Sequence, residues 1–229
     1  MKIGGLQKFS LIDFPGRISA VIFTQGCNFR CPFCHNPELV LPELFREPIP
    51  EQEVMDFLKR RKEYLEGVTV TGGEPTLQKD LPDFLEKVRA LGYAIKLDTN
   101  GSNPAMLGQI LARNLVNYVA MDIKAPLAKY DRVAGVSGHT EAVQCSIDLI
   151  LASRIPHQFR TTVVKALCSE QDIEDAVPLV KNSRHYILQK FIPSEKILSR
   201  DLVTHPQYSD EDMAVLKERW ERHSHSVYA

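Results

Sequence analysis

Long apolar runs are missing from this chain of 229 residues: 44% of it is hydrophobic, yet no stretch approaches the ~18–20 apolar residues of a membrane-spanning helix. An excess of one charge is missing too. The 28 basic residues face 29 acidic ones, which removes the usual electrostatic case for nucleic acid or an anionic membrane as partner. The opening Met1-Lys2-Ile3-Gly4-Gly5 carries no apolar signal core, so the expectation is a cytoplasmic protein. Repeats, low-complexity tracts and convincing linkers are absent. The segment from Pro37 to Pro50, with four prolines, reads as a loop rather than a boundary. One domain over 1–229 is expected, with a core from about 16 to 192 and a C-terminal extension from about 193 to 229. Cysteine is scarce and unevenly placed. Of five, three crowd into Cys27–Cys34, unlike the spread of a disulfide framework. The remaining Cys145 and Cys168 are too few for a second cluster and read as small buried hydrophobes.

What is present is an alternation of β-type and helical runs. β-branched and aromatic residues mark strands at 18–24, 67–71, 93–98, 116–123, 157–164 and 185–191. Apolar spacing of three and four marks helices at 51–65, 81–91, 104–113, 140–153, 170–181 and 209–223. Gly92 is a helix stop, Asn103 an N-cap before Pro104, and Ser209-x-x-Asp212 a capping pattern. Alternating strands and helices imply a parallel sheet with right-handed crossovers. A full eightfold barrel takes about 250 residues. Six units therefore predict an α/β fold built as an incomplete (βα)6 TIM-like barrel, open on one side, with a flat doubly wound sheet as the rival.

In such folds ligands gather at the carboxyl ends of the strands. The first strand runs into Cys27-Asn28-Phe29-Arg30-Cys31-Pro32-Phe33-Cys34, a C-x3-C-x2-C loop. Cubane iron–sulfur clusters are usually held by four cysteines. Three thiolates on one loop leave one iron with an exchangeable position, as open catalytic metal sites do. The second strand ends in Thr71-Gly72-Gly73-Glu74-Pro75, where glycine permits close backbone approach. The lysine of a phosphate-binding loop is missing there. The third ends in Asp98-Thr99-Asn100-Gly101 and the fourth in Asp122-Ile123-Lys124. The fifth carries Arg160 and the sixth Gln189. Read blandly, these are turns, caps and surface pairs. On an inward barrel face, Asp122 and Lys124 would need each other, a cation or a polar ligand.

The cysteine loop, Phe33 just before its third cysteine, and Gly72-Gly73-Glu74-Pro75 resemble the radical S-adenosylmethionine (SAM) superfamily. Gln25-Gly26-Cys27 through Cys34-His35-Asn36-Pro37, with Leu97 to Gly101 and Asp122-Ile123-Lys124, resembles its glycyl-radical-enzyme activating proteins. Phe9 to Gly16 and Leu188-Gln189-Lys190-Phe191 are most similar to the branch that activates anaerobic ribonucleoside-triphosphate reductase. The resemblance implies a 4Fe-4S cluster on Cys27, Cys31 and Cys34, with SAM chelating the fourth iron. It implies Gly72, Gly73 and Glu74 at the SAM amino group and Phe33 beside the adenine. It places Asp98 and Asp122 near the methionine carboxylate, with a monovalent cation to relieve their repulsion. Asn100, Lys124 and Arg160 line the ribose and carboxylate side, and Thr99 and Gln189 complete the set. The implied activity is reductive cleavage of SAM and formation of a glycyl radical on a partner enzyme, anaerobic ribonucleotide reductase, with flavodoxin or ferredoxin as electron donor. Two departures stand out. The Tyr-His pair found after the sixth strand of pyruvate formate-lyase activators is replaced by Gln189 to Pro193, and the cysteine-rich ferredoxin-like insert of some activators is missing.

Other readings remain. Cys27, Cys31, Cys34 and His35 are a donor set for zinc, although adjacent Cys34 and His35 suit one tetrahedral ion badly. Cys31-Pro32-Phe33-Cys34 is a C-x-x-C, as in thioredoxin-like oxidoreductases. A non-enzymatic electron-transfer module, and a radical SAM enzyme for a different glycyl radical enzyme, a peptide or a small molecule, complete the alternatives.

Overall fold

Side chains alternate across a strand and recur every 3.6 residues on a helix. Here these two periods sort the residues into an apolar layer and a polar interior. The computed structural model describes residues 1–183 and 185–225. Strands β1 (Ile3–Ser10), β2 (Ser19–Thr24), β3 (Gly67–Gly72), β4 (Ala94–Thr99), β5 (Tyr118–Asp122), β6 (His157–Val163) and β7 (Tyr186–Lys190) form one sheet in chain order. β2 to β7 are parallel, and β1 runs antiparallel along β2. β1 and β7 are not paired with each other, so the barrel stays open. The helices are α1 (Pro37–Val40), α2 (Glu51–Arg60), α3 (Leu81–Ala90), α4 (Pro104–Ala112), α5 (Tyr130–Ala134), α6 (Thr140–Ala152), α7 (Glu170–Ala176) and α8 (Asp210–His225). None of the described helices is long and apolar enough to cross a membrane.

The outward set Val68, Val70, Ile95, Leu97, Val119, Met121 and Phe159 is buried with Val54, Leu58, Phe84, Leu85, Leu107, Ile110, Val143 and Ile147 from the helices. Each such side chain contributes about 1.5–3 kcal/mol by leaving water. The opposite set carries the polar side chains. Thr69, Lys96 and Tyr118 lie in one row across β3, β4 and β5, and Asp122 is in register with Arg160. The interior is thus lined with hydrogen-bonding and charged groups, which is what a ligand cavity needs.

The expected helices and parallel strands are present, with differences that have local causes. β1 was not expected, because Gly4 and Gly5 break its pattern and weaken a strand. Gly4 is needed there: a Cβ would lie 2.5 Å from Leu39 Cδ2 and 2.6 Å from Gln25 Cγ. α2 stops at Arg60 rather than running to Leu65. α7 tightens into a 3-10 turn at Val177–Val180, where Pro178 has no N–H for an α-helical bond. The 37–50 loop contains α1 and a 3-10 turn at Pro42–Leu44. Asn103 caps α4 by accepting from Met106 N at 3.2 Å, and Ser209 and Asp212 bond reciprocally at the start of α8. Positions 226–229 of the expected extension lie outside the described residues.

Candidate functional site

The cysteine loop leaves β2 through Gly26, at φ +97°, and is tied down on three sides. Gly26 N donates to Leu39 O of α1 at 2.8 Å. Arg30 N donates to Ala134 O at the end of α5 at 2.9 Å, while the Arg30 guanidinium donates to the carbonyls of Cys27 (2.7 Å) and Phe29 (2.8 Å). A strap from the chain after β7 closes the third side. Leu198 N donates to Cys34 O at 3.0 Å, Ser199 N to Pro32 O at 2.9 Å, and His35 Nε2 to Ile192 O at 2.8 Å.

The end of β3 approaches this loop so closely that only glycine fits. Gly72 has φ +118°, and a Cβ on Gly73 would sit 2.1 Å from Gly26 O. Glu74 follows and is 1% exposed. Its carboxylate accepts from Thr76 N (3.0 Å), Thr76 Oγ1 (2.5 Å), Thr99 Oγ1 (2.7 Å) and Asn100 N (2.6 Å). Burial pushes this carboxyl up, and the four donors pull the other way. Glu74 therefore ties the end of β3 to the end of β4. Its side chain is fully engaged inside the protein, and the backbone of Gly72 and Gly73 lines the cavity beside it.

Deeper in the barrel, charges alternate along a ladder. Lys96 Nζ donates to Asp98 Oδ1. Arg160 donates to Asp98 Oδ2 at 3.2 Å and to Asp122 Oδ1 at 2.9 Å. Lys124 Nζ donates to Asp122 Oδ2 at 3.0 Å and lies 5.8 Å from the centre of the Phe33 ring. Burial opposes ionisation of Asp122, but Arg160 and Lys124 outweigh it and hold the carboxyl well below the usual range. The same pairing outweighs burial at Lys124 and Arg160 and keeps both cationic. Repulsion between Asp98 and Asp122 would call for a monovalent cation beside them. Arg160 now stands between them, which removes that motive.

Burial pushes the thiols up: Cys27 to about 12, Cys31 to about 11, and Cys34 in the same direction. As free groups they are protonated and poor nucleophiles, which disfavours a redox C-x-x-C. A metal deprotonates its thiol ligands outright. Soft thiolates beside the Lys124 cation and the Phe29 N–H, which points at Cys27 Sγ at 3.4 Å, fit an anionic iron–sulfur cluster. A single zinc with Zn–S near 2.3 Å needs sulfurs within about 4 Å of each other. No three His, Cys, Asp or Glu side chains among the described residues are placed to hold one metal ion.

One cavity is lined by Cys27, Cys31, Cys34, Phe33, Gly72, Gly73, Glu74, Asp98, Thr99, Asn100, Asp122, Lys124 and Arg160. The exception among the expected site residues is Gln189. It pairs in register with Thr162, but it lies exposed on the open-edge strand β7 and does not line the cavity. Cys168 is buried as expected, whereas Cys145 is exposed on α6, a correction to its reading as a buried hydrophobe. Two residues outside the expected site set matter: Thr162 lines the cavity, and Lys96, which does not, bonds to Asp98. The signal for Lys96 was its spacing of two from Asp98 in an apolar strand. Asn28 is a third: it accepts from Asn100 Nδ2 and Ser102 Oγ, both at 3.1 Å, and so joins the cysteine loop to the end of β4.

Fold and site together define a partial α/β-barrel protein that gathers three cysteine thiols and a set of charged side chains in one cavity at the carboxyl ends of its strands. The family model of the radical SAM superfamily matches residues 21–177. The chain belongs to that superfamily, and within it to the glycyl-radical-enzyme activating proteins. A Methanocaldococcus jannaschii protein, named as a candidate glycyl-radical enzyme activating enzyme, is 33% identical over 201 residues, 84% of this chain and 81% of its own length. The pyruvate formate-lyase-activating enzyme of Clostridium pasteurianum is 34% identical over 128 residues, 54% of this chain and 52% of that one. Among solved structures, Streptococcus suis SuiB bound to S-adenosylmethionine is similar with a TM-score of 0.69 at 18% identity, over 87% of this chain and 45% of that chain. This chain thus spans about half the length of the latter two, and the SuiB likeness speaks for the fold alone.

Proposed function

We propose that this protein is an oxidoreductase that cleaves SAM reductively and places a glycyl radical on a partner enzyme, anaerobic ribonucleoside-triphosphate reductase. Flavodoxin or ferredoxin is the proposed electron donor and the cytoplasm the proposed compartment. The observation that carries the reading is that the three thiols share one cavity with the glycine pair and with Asp98, Asp122, Lys124 and Arg160. Cys27, Cys31 and Cys34 would hold a 4Fe-4S cluster, and the backbone of Gly72 and Gly73 would receive the SAM amino group. When bound, the cluster supplies an electron to the sulfonium of SAM. The chain's own residues orient and neutralise. Phe33 offers an aromatic wall to the adenine, Asn100 a polar edge to the ribose, and Lys124 and Arg160 positive charge to the carboxylate. The buried floor of the cavity limits water around the reacting bond. The resemblance of Phe9 to Gly16 and of Leu188 to Phe191, and the absence of a Tyr-His pair after β7, favour the ribonucleotide reductase branch over pyruvate formate-lyase.

The test is anaerobic reconstitution with iron and sulfide, reduction with dithionite, and detection of 5′-deoxyadenosine. Wild type produces it and Cys31→Ala does not. Incubation with anaerobic ribonucleotide reductase then yields a glycyl radical in the electron paramagnetic resonance spectrum. Formation of 5′-deoxyadenosine by Cys31→Ala overturns the site. Its formation by wild type without a radical on the reductase overturns the partner.

A further inference from the structure

Two carboxylates facing one cavity side by side repel each other and, left alone, recruit a cation. Three protein cations surround this pair. Arg160 and Lys124 line the cavity; Lys96 does not. Lys96 lies on the inner face of β4, two residues before Asp98, so both side chains project the same way. It is 2% exposed, and its neighbours in register are Thr69 on β3 and Tyr118 on β5, neither of them anionic. Asp98 is the carboxylate paired with it among the described residues. An ammonium so deeply buried is tolerated only because of that partner. The dependence is mutual. Without Lys96, Oδ1 of Asp98 loses its counter-charge, and the carboxylate must either compete with Asp122 for Arg160 or draw a cation from solution.

We propose that Lys96 is a positioning residue acting as a tethered counter-ion. It neutralises Asp98 from behind and leaves Arg160 free to bridge to Asp122. The ladder then holds three cations against two carboxylates, a surplus that receives a carboxylate-bearing ligand without a monovalent metal ion. The inference rests on the reading of this cavity as the SAM site, where the ligand carboxylate is that of the methionine moiety.

The test is calorimetric titration of the anaerobically reconstituted protein with SAM. The buffers are chlorides of equal ionic strength whose cation is potassium, sodium or tetramethylammonium. Wild-type affinity stays within about twofold across the three, whereas Lys96→Met binds about tenfold more weakly in tetramethylammonium and recovers in potassium or sodium. The double variant Lys96→Met/Asp98→Asn, which lacks the orphaned carboxylate, loses that cation dependence. A purely structural role for Lys96 predicts no selective rescue by the small cations. The wild-type arm stands even where Lys96→Met folds poorly. Wild-type affinity that falls severalfold in tetramethylammonium overturns the proposal, as does Lys96→Met that is indifferent to the cation. Failure of wild type to bind SAM in every buffer overturns the reading of the cavity, and the proposal with it.

Discussion

Adding a single methyl group by glycine-to-alanine substitution has opposite expected effects at two places in this chain. At Gly73 the new Cβ would lie 2.1 Å from Gly26 O, 2.6 Å from Gly26 C and 3.1 Å from Leu39 O. All three are backbone atoms, so no rotamer change relieves the clash. The strand end must move away from the cysteine loop, against two bonds that hold it: Glu74 N to Gly26 O at 2.7 Å and Gly73 N to Thr24 O at 2.8 Å. Overpacking costs about 1–3 kcal/mol, and a lost hydrogen bond about 1 more. For a domain of this size each kcal/mol moves the midpoint by about 2–4 °C, so Gly73→Ala should melt roughly 5–15 °C below wild type. Gly108, inside α4, is the counterpart. A Cβ there meets Leu149 Cδ1 at 3.7 Å, an ordinary contact. Alanine in a helix interior is better than glycine by about 0.5–1 kcal/mol, so Gly108→Ala should melt about 1–4 °C higher. Thermal unfolding followed by circular dichroism measures both. If Gly73→Ala melts within about 1 °C of wild type, or Gly108→Ala melts several degrees lower, the steric reasoning fails.

Arg160→Met removes the cation shared by Asp98 and Asp122, leaving each carboxylate with one lysine, and should destabilise the fold by about 1.5–3 kcal/mol in urea unfolding. Asp98→Asn added to it should cost less than the two single losses summed, and strictly additive costs would contradict the bridge. Asp172 caps α7 by accepting from Ser169 N at 2.9 Å and pairs with Lys129 at 2.7 Å. Burial works to raise its pKa, but these partners win and hold it below the usual carboxylate value. Its stabilisation is therefore present above the unfolded pKa of about 3.9 and lost as pH falls through the lower folded value. The stability gap between wild type and Asp172→Asn should be widest near neutrality and close in acid; a gap that widens in acid refutes the assignment. Cys145 is exposed and Cys168 is buried, so mass spectrometry after brief iodoacetamide treatment of the native protein should find the label on Cys145 and not on Cys168.

Much of the site was legible because its signals are local. Cysteine spacing, paired glycines and polar strand ends sit within a few residues of one another, and a parallel sheet carries strand ends to one rim whatever the helices do. Cys27, Glu74, Asp98 and Arg160 therefore meet as the alternation of strands and helices predicts. What escaped depends on distant chain. β1 looks too glycine-rich for a strand until α1 is seen to fill the space beside Gly4. Arg160 shows its place between Asp98 and Asp122 only when the sheet curls and brings β6 beside β4 and β5. Gln189 shares the face of Thr162 but misses the cavity, because β7 is the open edge and no strand beyond it turns that face inward.

The strap over the cysteine loop bears on the order of events during synthesis. His35 and the carbonyl of Ile192 are separated by 157 positions in the chain. At roughly 5–20 residues per second, a ribosome takes about 10–30 s to make that interval. Throughout it the three sulfur donors exist without the segment that fastens them. Any metal delivery that needs the finished loop would have to wait for translation to pass the last strand.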